Sequence, residues 1–334
     1  HFHDANRGSI LFSVPYTTNI PYTVASGHEG ELRYQPTIEG NTFENIYVPG
    51  GPDKYEDLYY GFVFNIQGDN DQIVFNNNTF RNFKTYDGGF SGKIIHKDAN
   101  TESVKLDFQN CIFDSCRELS KGGAFSWAEQ SVGGVQPNYK DSKLDLTCES
   151  CQFDNNNAQH GGALYLYSQR SVNIRNCDFK SNSAEKEGSD ACNGGAIYIK
   201  DVRELTITGC NFESNSASNN GQAIFYEANT NSIVEQLLIN GTTFTNNCKS
   251  GATGDQFAIS FGVGDVTVKD CTFDPESSSI LYPIIFDTDE VVTNARFENV
   301  ISKNTALLHI PKREHTTIKY EDFEFLNWQR IIYF

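Results

Sequence analysis

The chain has 334 residues, 26 of them basic and 43 acidic, for a net charge of −17. Such a polyanion repels nucleic acid and anionic lipid, which excludes most functions that grip either. No apolar run approaches the roughly 18 residues needed to cross a bilayer as a helix, so no membrane insertion is expected of this segment. Nine cysteines with no methionine suit an exported, processed product better than a cytosolic enzyme.

In chain order, residues 1–30 do not fit the pattern that follows. Turn formers at Gly8, Pro15 and Pro21 flank the apolar Ile10-Leu11-Phe12, and the stretch is expected to cap the open end of a stack of coils. Residues 31–334 then repeat one unit, announced by a phenylalanine at Phe43, Phe80, Phe113, Phe153, Phe179, Phe212, Phe244, Phe273, Phe297 and Phe323. The shortest unit, 24 residues from Phe273 to Phe297, holds three short strands and three corners. That is one rung of a parallel β-helix. About ten rungs are predicted, in a single right-handed, single-stranded, all-β solenoid.

Each slot of the unit has a physical reason. An alternating strand precedes the phenylalanine, as in Leu106/Phe108, Leu144/Leu146, Val172/Ile174 and Leu205/Ile207, and its period of two turns one face inward. Two residues before the ring stands a cysteine, at Cys111, Cys151, Cys177, Cys210 and Cys271, with Thr242 substituting once. Three residues after it comes Asn156, Asn182, Asn215 or Asn247, with Cys116 first in the series. Equivalent positions on adjacent rungs lie about 4.8 Å apart, so these residues are expected to stack in ladders. The asparagines are read as the left-handed residues of sharp corners, with amides that bond between rungs. The cysteines are read either as reduced core residues or as inter-rung disulfides.

The second corner is Gly-Gly-Ala, at Gly122–Ala124, Gly161–Ala163 and Gly194–Ala196, and it degrades to Gly221-Gln222-Ala223. It opens a strand whose inward members are Leu164/Leu166, Ile197/Ile199 and Ile224/Tyr226 and whose outward members include Tyr165, Tyr198 and Phe225. Three successive outward rings make an aromatic stripe. Open, it is a platform for a glycan or a partner protein; covered by a loop such as 185–193 or 218–220, it is a satellite core.

Asp114, Asp154, Glu213, Asp274 and Glu298 directly follow ladder phenylalanines. A glycosidase needs two carboxylates about 5–9.5 Å apart, but acids that belong to the repeat are read as a solvated corner. No catalytic residue, metal site or cofactor is assigned: a zinc site needs two close pairs to converge, and Cys148/Cys151 and Cys111/Cys116 are read instead through the ladder, which puts Cys111 and Cys151 in one slot on consecutive rungs. Asn77-Asn78-Thr79 and Asn240-Gly241-Thr242 are glycosylation sequons, with Asn77 and Asn240 as acceptors.

The paired motifs Phe-x-x-Asn (Phe153–Asn156, Phe179–Asn182, Phe212–Asn215, Phe244–Asn247) and Gly-Gly-Ala-Ile/Leu (Gly161–Leu164, Gly194–Ile197) resemble those of the polymorphic membrane proteins of chlamydiae and of trichomonad and other protist surface proteins. The resemblance runs from about Phe113 to Ile259. It implies a surface-displayed β-helix that works in adhesion. The expected function is therefore that of a non-enzymatic extracellular or cell-surface protein, an adhesin or structural building block. Its expected partners are a surface protein, a glycan, or a second copy joined through open helix ends into a filament. A polysaccharide lyase or hydrolase on the same scaffold is the enzymatic alternative.

Overall fold

A computed structural model describes residues 2–3, 10–14, 37–45, 62–66, 72–85, 91–94, 104–118, 120–128, 142, 144–185, 192–227, 235–248, 256–262, 266–275, 283–286, 295–303, 308–309 and 332–333. Among them all regular structure is strand, and every strand pairing is parallel. The strands fall into three sheets of eighteen, ten and five members. Neighbours in each sheet are equivalent segments of successive repeats, which makes the fold a parallel β-helix.

One rung shows why the sequence folds this way. Leu164–Arg175 forms a 12-residue strand of the large sheet, its inward Leu164, Leu166, Val172 and Ile174 wholly buried. Asn176 then turns the chain at φ 52° into the short strand Asp178–Lys180. Ser181 turns it again at φ 55° into Ser183–Ala184 of the third sheet. Gly194, at φ 70°, opens the next rung, where Ile197 lies opposite Leu164 and Leu205 opposite Val172. Left-handed backbone costs least for glycine and little for asparagine, so the corners carry such small or polar residues. Strands predicted as separate, around Leu164 and Val172, are fused here, and the bend between them is taken by Ser168 (φ 57°) and, one rung on, Asp201 (φ 52°).

The core is a set of stacks along the axis. The phenylalanine rings from Phe43 to Phe273 lie face to face, with centroids 4.6 Å (Phe179–Phe212) to 5.2 Å (Phe43–Phe80) apart and planes within 11° of parallel. The 4.8 Å strand spacing brings the rings together, and each stacked pair adds about 1 kcal/mol to its burial.

The structure corrects several assignments. Phe297 is not the next ring of this stack: it lies opposite Val268 in the large sheet, and Ser302 lies opposite Phe273. The substitution of Val300 for cysteine, buried in the same interior, disguised the register. Phe323 lies outside the described residues. In the strand Leu144–Glu149, Leu146 and Cys148, not Leu144 and Leu146, match Leu106 and Phe108. Cys148 is thus a core residue in the apolar column that leads to Ile174. Within residues 1–30, expected as a cap, two short segments are described. Phe2–His3 pairs with Phe43–Glu44 and Ile10–Val14 with Phe62–Ile66, so both join the stack as strands.

Candidate functional site

Within the rungs, the interior polar columns bond along the axis. Each ladder asparagine is buried. The Asn182 Oδ1 accepts from the backbone N–H of Asn156 at 3.1 Å and from its Nδ2 at 3.0 Å. Its own Nδ2 donates to Phe153 O at 2.8 Å and to Asn215 Oδ1 at 2.9 Å. Asn215 and Asn247 repeat the arrangement, and the N–H of Cys116 donates to Asn156 Oδ1 at 3.0 Å. The left-handed residue of this corner is the preceding one, Asn155, Ser181, Ser214 or Asn246. The ladder asparagine therefore serves as a hydrogen-bonding column, and the corner conformation assigned to it belongs to its neighbour.

The cysteine column does similar work with weaker groups. Cys111, Cys151, Cys177, Cys210 and Cys271 are buried thiols, not disulfides. Each donates to a carbonyl on the preceding rung, from Phe75 O at 3.4 Å (Cys111) to Ile239 O at 3.6 Å (Cys271). Thr242 fits the slot because its hydroxyl accepts the N–H of Cys210 at 3.4 Å, as the sulfur of Cys177 accepts that of Cys151. Burial pushes the Cys271 thiol up to about 12 and raises that of Cys151 as well. The hydrogen bond from Cys151 instead lowers Cys111.

Outside, Tyr165, Tyr198 and Phe225 do form one column, with centroid spacings of 5.1 and 5.3 Å. Tyr165 and Tyr198 are each only 6% exposed, so the stripe is not the open platform considered from the sequence. Lys121 Nζ sits 5.0 Å above the Tyr165 ring, a cation–π contact, and His160 lies 5.2 Å from the Tyr198 ring. The Tyr198 hydroxyl donates to Glu227, whose other carboxylate oxygen takes Lys200 Nζ. Burial raises Glu227, and Lys121 opposes the shift. The cluster is a satellite of packed rings tied down by an ion pair. Phe225 is its half-exposed member, and Lys200 and Glu227 gave no signal in sequence because their shared position holds Ala128, Tyr167, Lys200 and Glu227 on successive rungs and so shows no constant residue type.

The acids after the ladder rings line one edge of the short-strand sheet in the order Glu44, Arg81, Asp114, Asp154, Lys180, Glu213, Thr245, Asp274. Arg81 pairs with Asp114 at 3.0 Å, Lys180 with Glu213 at 3.2 Å and Lys303 with Asp274 at 2.6 Å. Glu298 belongs to the large sheet, where it pairs with Lys269 at 3.1 Å. Asp154 faces Asp114 directly, and partial burial with that neighbour raises its carboxyl. Bases of neighbouring rungs thus pair with Asp114, Glu213 and Asp274, while Asp114 and Asp154 stand side by side with no base between them. Among the described residues no three His, Cys, Asp or Glu side chains converge as metal ligands.

Gln222 is the residue whose role sequence left unread. In three rungs the slot is glycine, because a Cβ at Gly123, Gly162 or Gly195 would lie 2.0–2.3 Å from the next rung's carbonyl and against the third-sheet strand beyond it. At Gln222 the neighbouring third-sheet strand, Ser216–Ala217, is the last of that sheet among the described residues. The Gln222 Oε1 accepts the N–H of Ala217 at 2.8 Å, and its Nε2 donates to Asn219 O at 3.0 Å. A side chain finishes the sheet edge where no further strand does.

The fold and its exterior thus define a repeat scaffold: a parallel β-helix with bonded interior columns and a paired-charge edge. Residues 176–200, from the Asn176 corner through Cys177, Phe179, Asn182 and Gly194–Ile197, match the Chlamydia polymorphic membrane protein repeat. The chain carries a repeat of that kind. No curated protein and no solved structure matches the chain.

Proposed function

We propose that the chain is a non-enzymatic β-helix displayed at the cell surface, where it makes adhesive contacts. The observation that carries this reading is the contrast between a constant interior and insertions confined to two places in the rung. The large-sheet strand runs unbroken through Ser168 and Asp201. In neighbouring rungs the chain leaves at Ala128 and re-enters at Leu144, and leaves at Glu227 and re-enters at Gln236. Elsewhere residues 186–191 are inserted between Glu185 and Cys192, both of which stay bonded to neighbouring rungs. A scaffold that accepts loops without disturbing its ladders is suited to presenting variable contact surfaces. The match at residues 176–200 to a chlamydial surface-protein repeat supports the same reading, and the ion pairs that hold Asp114, Glu213 and Asp274 favour a non-enzymatic one.

With a net charge of −17, the surface suits a neutral or cationic partner. The test is to label intact source cells with a membrane-impermeant amine reagent and to measure binding of the purified chain to candidate cells and glycans. Labelling of the chain on unbroken cells, together with saturable binding and no polysaccharide turnover, is expected. A chain protected until lysis, or one that depolymerises a polysaccharide, would overturn the proposal.

A further inference from the structure

We propose that Asn77 is the acceptor of an N-linked glycan and that Asn240, which has the same triplet signature, is not. The inference rests on the reading of the chain as an exported protein, because the transfer takes place on the secretory side of a membrane.

The two triplets occupy different parts of the rung. Asn77 stands at a left-handed corner, φ 55°, is exposed, and is held by its backbone alone, with its N–H donating to Gln109 O at 2.9 Å. Asn78 points inward, buried, with its Oδ1 accepting the N–H of Asn41 at 3.0 Å. Thr79 opens the next short strand on the outside, half-buried. The residues a transferase reads, the amide of Asn77 and the hydroxyl of Thr79, therefore both face outward while the residue between them anchors the corner. On the preceding rung the equivalent corner is Gly40, whose N–H bonds Asn76 O at 3.1 Å. A Cβ there would meet nothing within 4 Å. One flank of Asn77 is thus free of side chain, which leaves room for a sugar ring lying along the helix axis. On the other flank Asn110 turns its amide to Asn76 Oδ1 at 3.2 Å.

Asn240 lies within a strand, between Thr208 and Lys269 of the adjacent rungs. Its Oδ1 is buried without a hydrogen-bond partner. The hydroxyl of its triplet belongs to Thr242, which is fully buried in the cysteine slot. That hydroxyl donates to Asn240 O at 3.1 Å and accepts from Cys210 N at 3.4 Å. On the folded chain the hydroxyl is out of an enzyme's reach.

The transfer replaces one N–H bond of the Asn77 amide with an N–C bond to the anomeric carbon of an activated sugar, a lipid-linked glycosyl diphosphate, which leaves with the electron pair as lipid diphosphate while the amide proton goes to a base of the transferase. The test is peptide mapping of the protein isolated from its source, digested with an amide-cleaving glycosidase in heavy-oxygen water. The expected result is conversion of Asn77 to labelled Asp in most molecules, with Asn240 unlabelled. Asn77→Gly, which the left-handed φ of 55° accepts, expressed in the same cells, should lose the sugar and keep the wild-type melting temperature. An unlabelled Asn77, or labelling at Asn240 to a similar degree, would overturn the proposal. Intact-cell labelling separates the two readings: a surface-exposed chain with a bare Asn77 sinks this inference alone, whereas a glycosylated chain hidden from the surface reagent sinks the display reading alone.

Discussion

A ladder asparagine does four jobs with one side chain. The Asn182 Oδ1 takes two donors from the rung below, and its Nδ2 reaches a carbonyl and the next amide. All of these groups are buried, where an amide without a partner costs about 1–3 kcal/mol. Asn182→Ala leaves the Asn156 N–H and the Asn215 Oδ1 short of a partner at once, so a loss of about 3 kcal/mol is expected. Asn157→Ala, one residue beyond a ladder position and half-buried on the outside, removes bonds to Ser183 that water can replace. It should cost under about 1 kcal/mol. Urea titrations of the two variants check the contrast, and equal midpoints would show that the ladder is decoration on a fold held by the phenylalanines.

At the scale of the corner, glycine serves two separate needs. Gly40 needs only its left-handed φ of 68°, because nothing stands near its missing Cβ. Gly162 needs the space, since a Cβ would sit 2.1 Å from Gly195 O and 2.6 Å from Ser183 O. Gly40→Ala should therefore cost about 1–2 kcal/mol, the ordinary penalty of left-handed backbone. Gly162→Ala must push two rungs apart and should cost well beyond that, read as a lower melting temperature or loss of soluble protein. If both substitutions are tolerated equally, the close rung contact is not what selects glycine. Corners of this kind explain what could be read from sequence. The Gly-Gly-Ala and Cys-x-Phe-x-x-Asn spacings are fixed by backbone geometry that recurs on every rung, so stacking and inward faces were legible. The fused strand at Ser168 was not, because two strands meeting without a loop leave no turn signal. Phe297 was misplaced because Val300 and Ser302 fill their slots with residues outside the pattern. The cover over Tyr165 and Tyr198 depends on Lys121, His160 and Glu227, which hold recurring positions of the rung but change in residue type from one rung to the next, so no motif announces them.

Across the whole molecule, each rung touches mainly its two neighbours, so stability is expected to be a sum of rung and interface contributions. The cysteine column reports this directly, because buried thiols react only when their rung opens. Cys151, Cys177 and Cys210 lie on consecutive rungs joined by the asparagine ladder and by the fused strands Leu164–Arg175 and Ile197–Thr208. Cys271 lies two rungs beyond Cys210, and among the described residues the last strand of the third sheet is Ser216–Ala217. Among the described residues its rung has strands in two sheets instead of three. Alkylation by a neutral maleimide in rising urea, with each site quantified by mass spectrometry, should label Cys271 at lower urea than the other three. Those three should share one midpoint, since no rung among them can open without breaking Asn156–Asn182–Asn215 bonds. Both thiols are buried in the folded chain and react only from the opened rung, so a difference in midpoint between them reports opening. Simultaneous labelling of all four would make the β-helix a single cooperative unit. Separate midpoints for Cys151, Cys177 and Cys210 would mean that the asparagine column couples neighbouring rungs too weakly to hold them together.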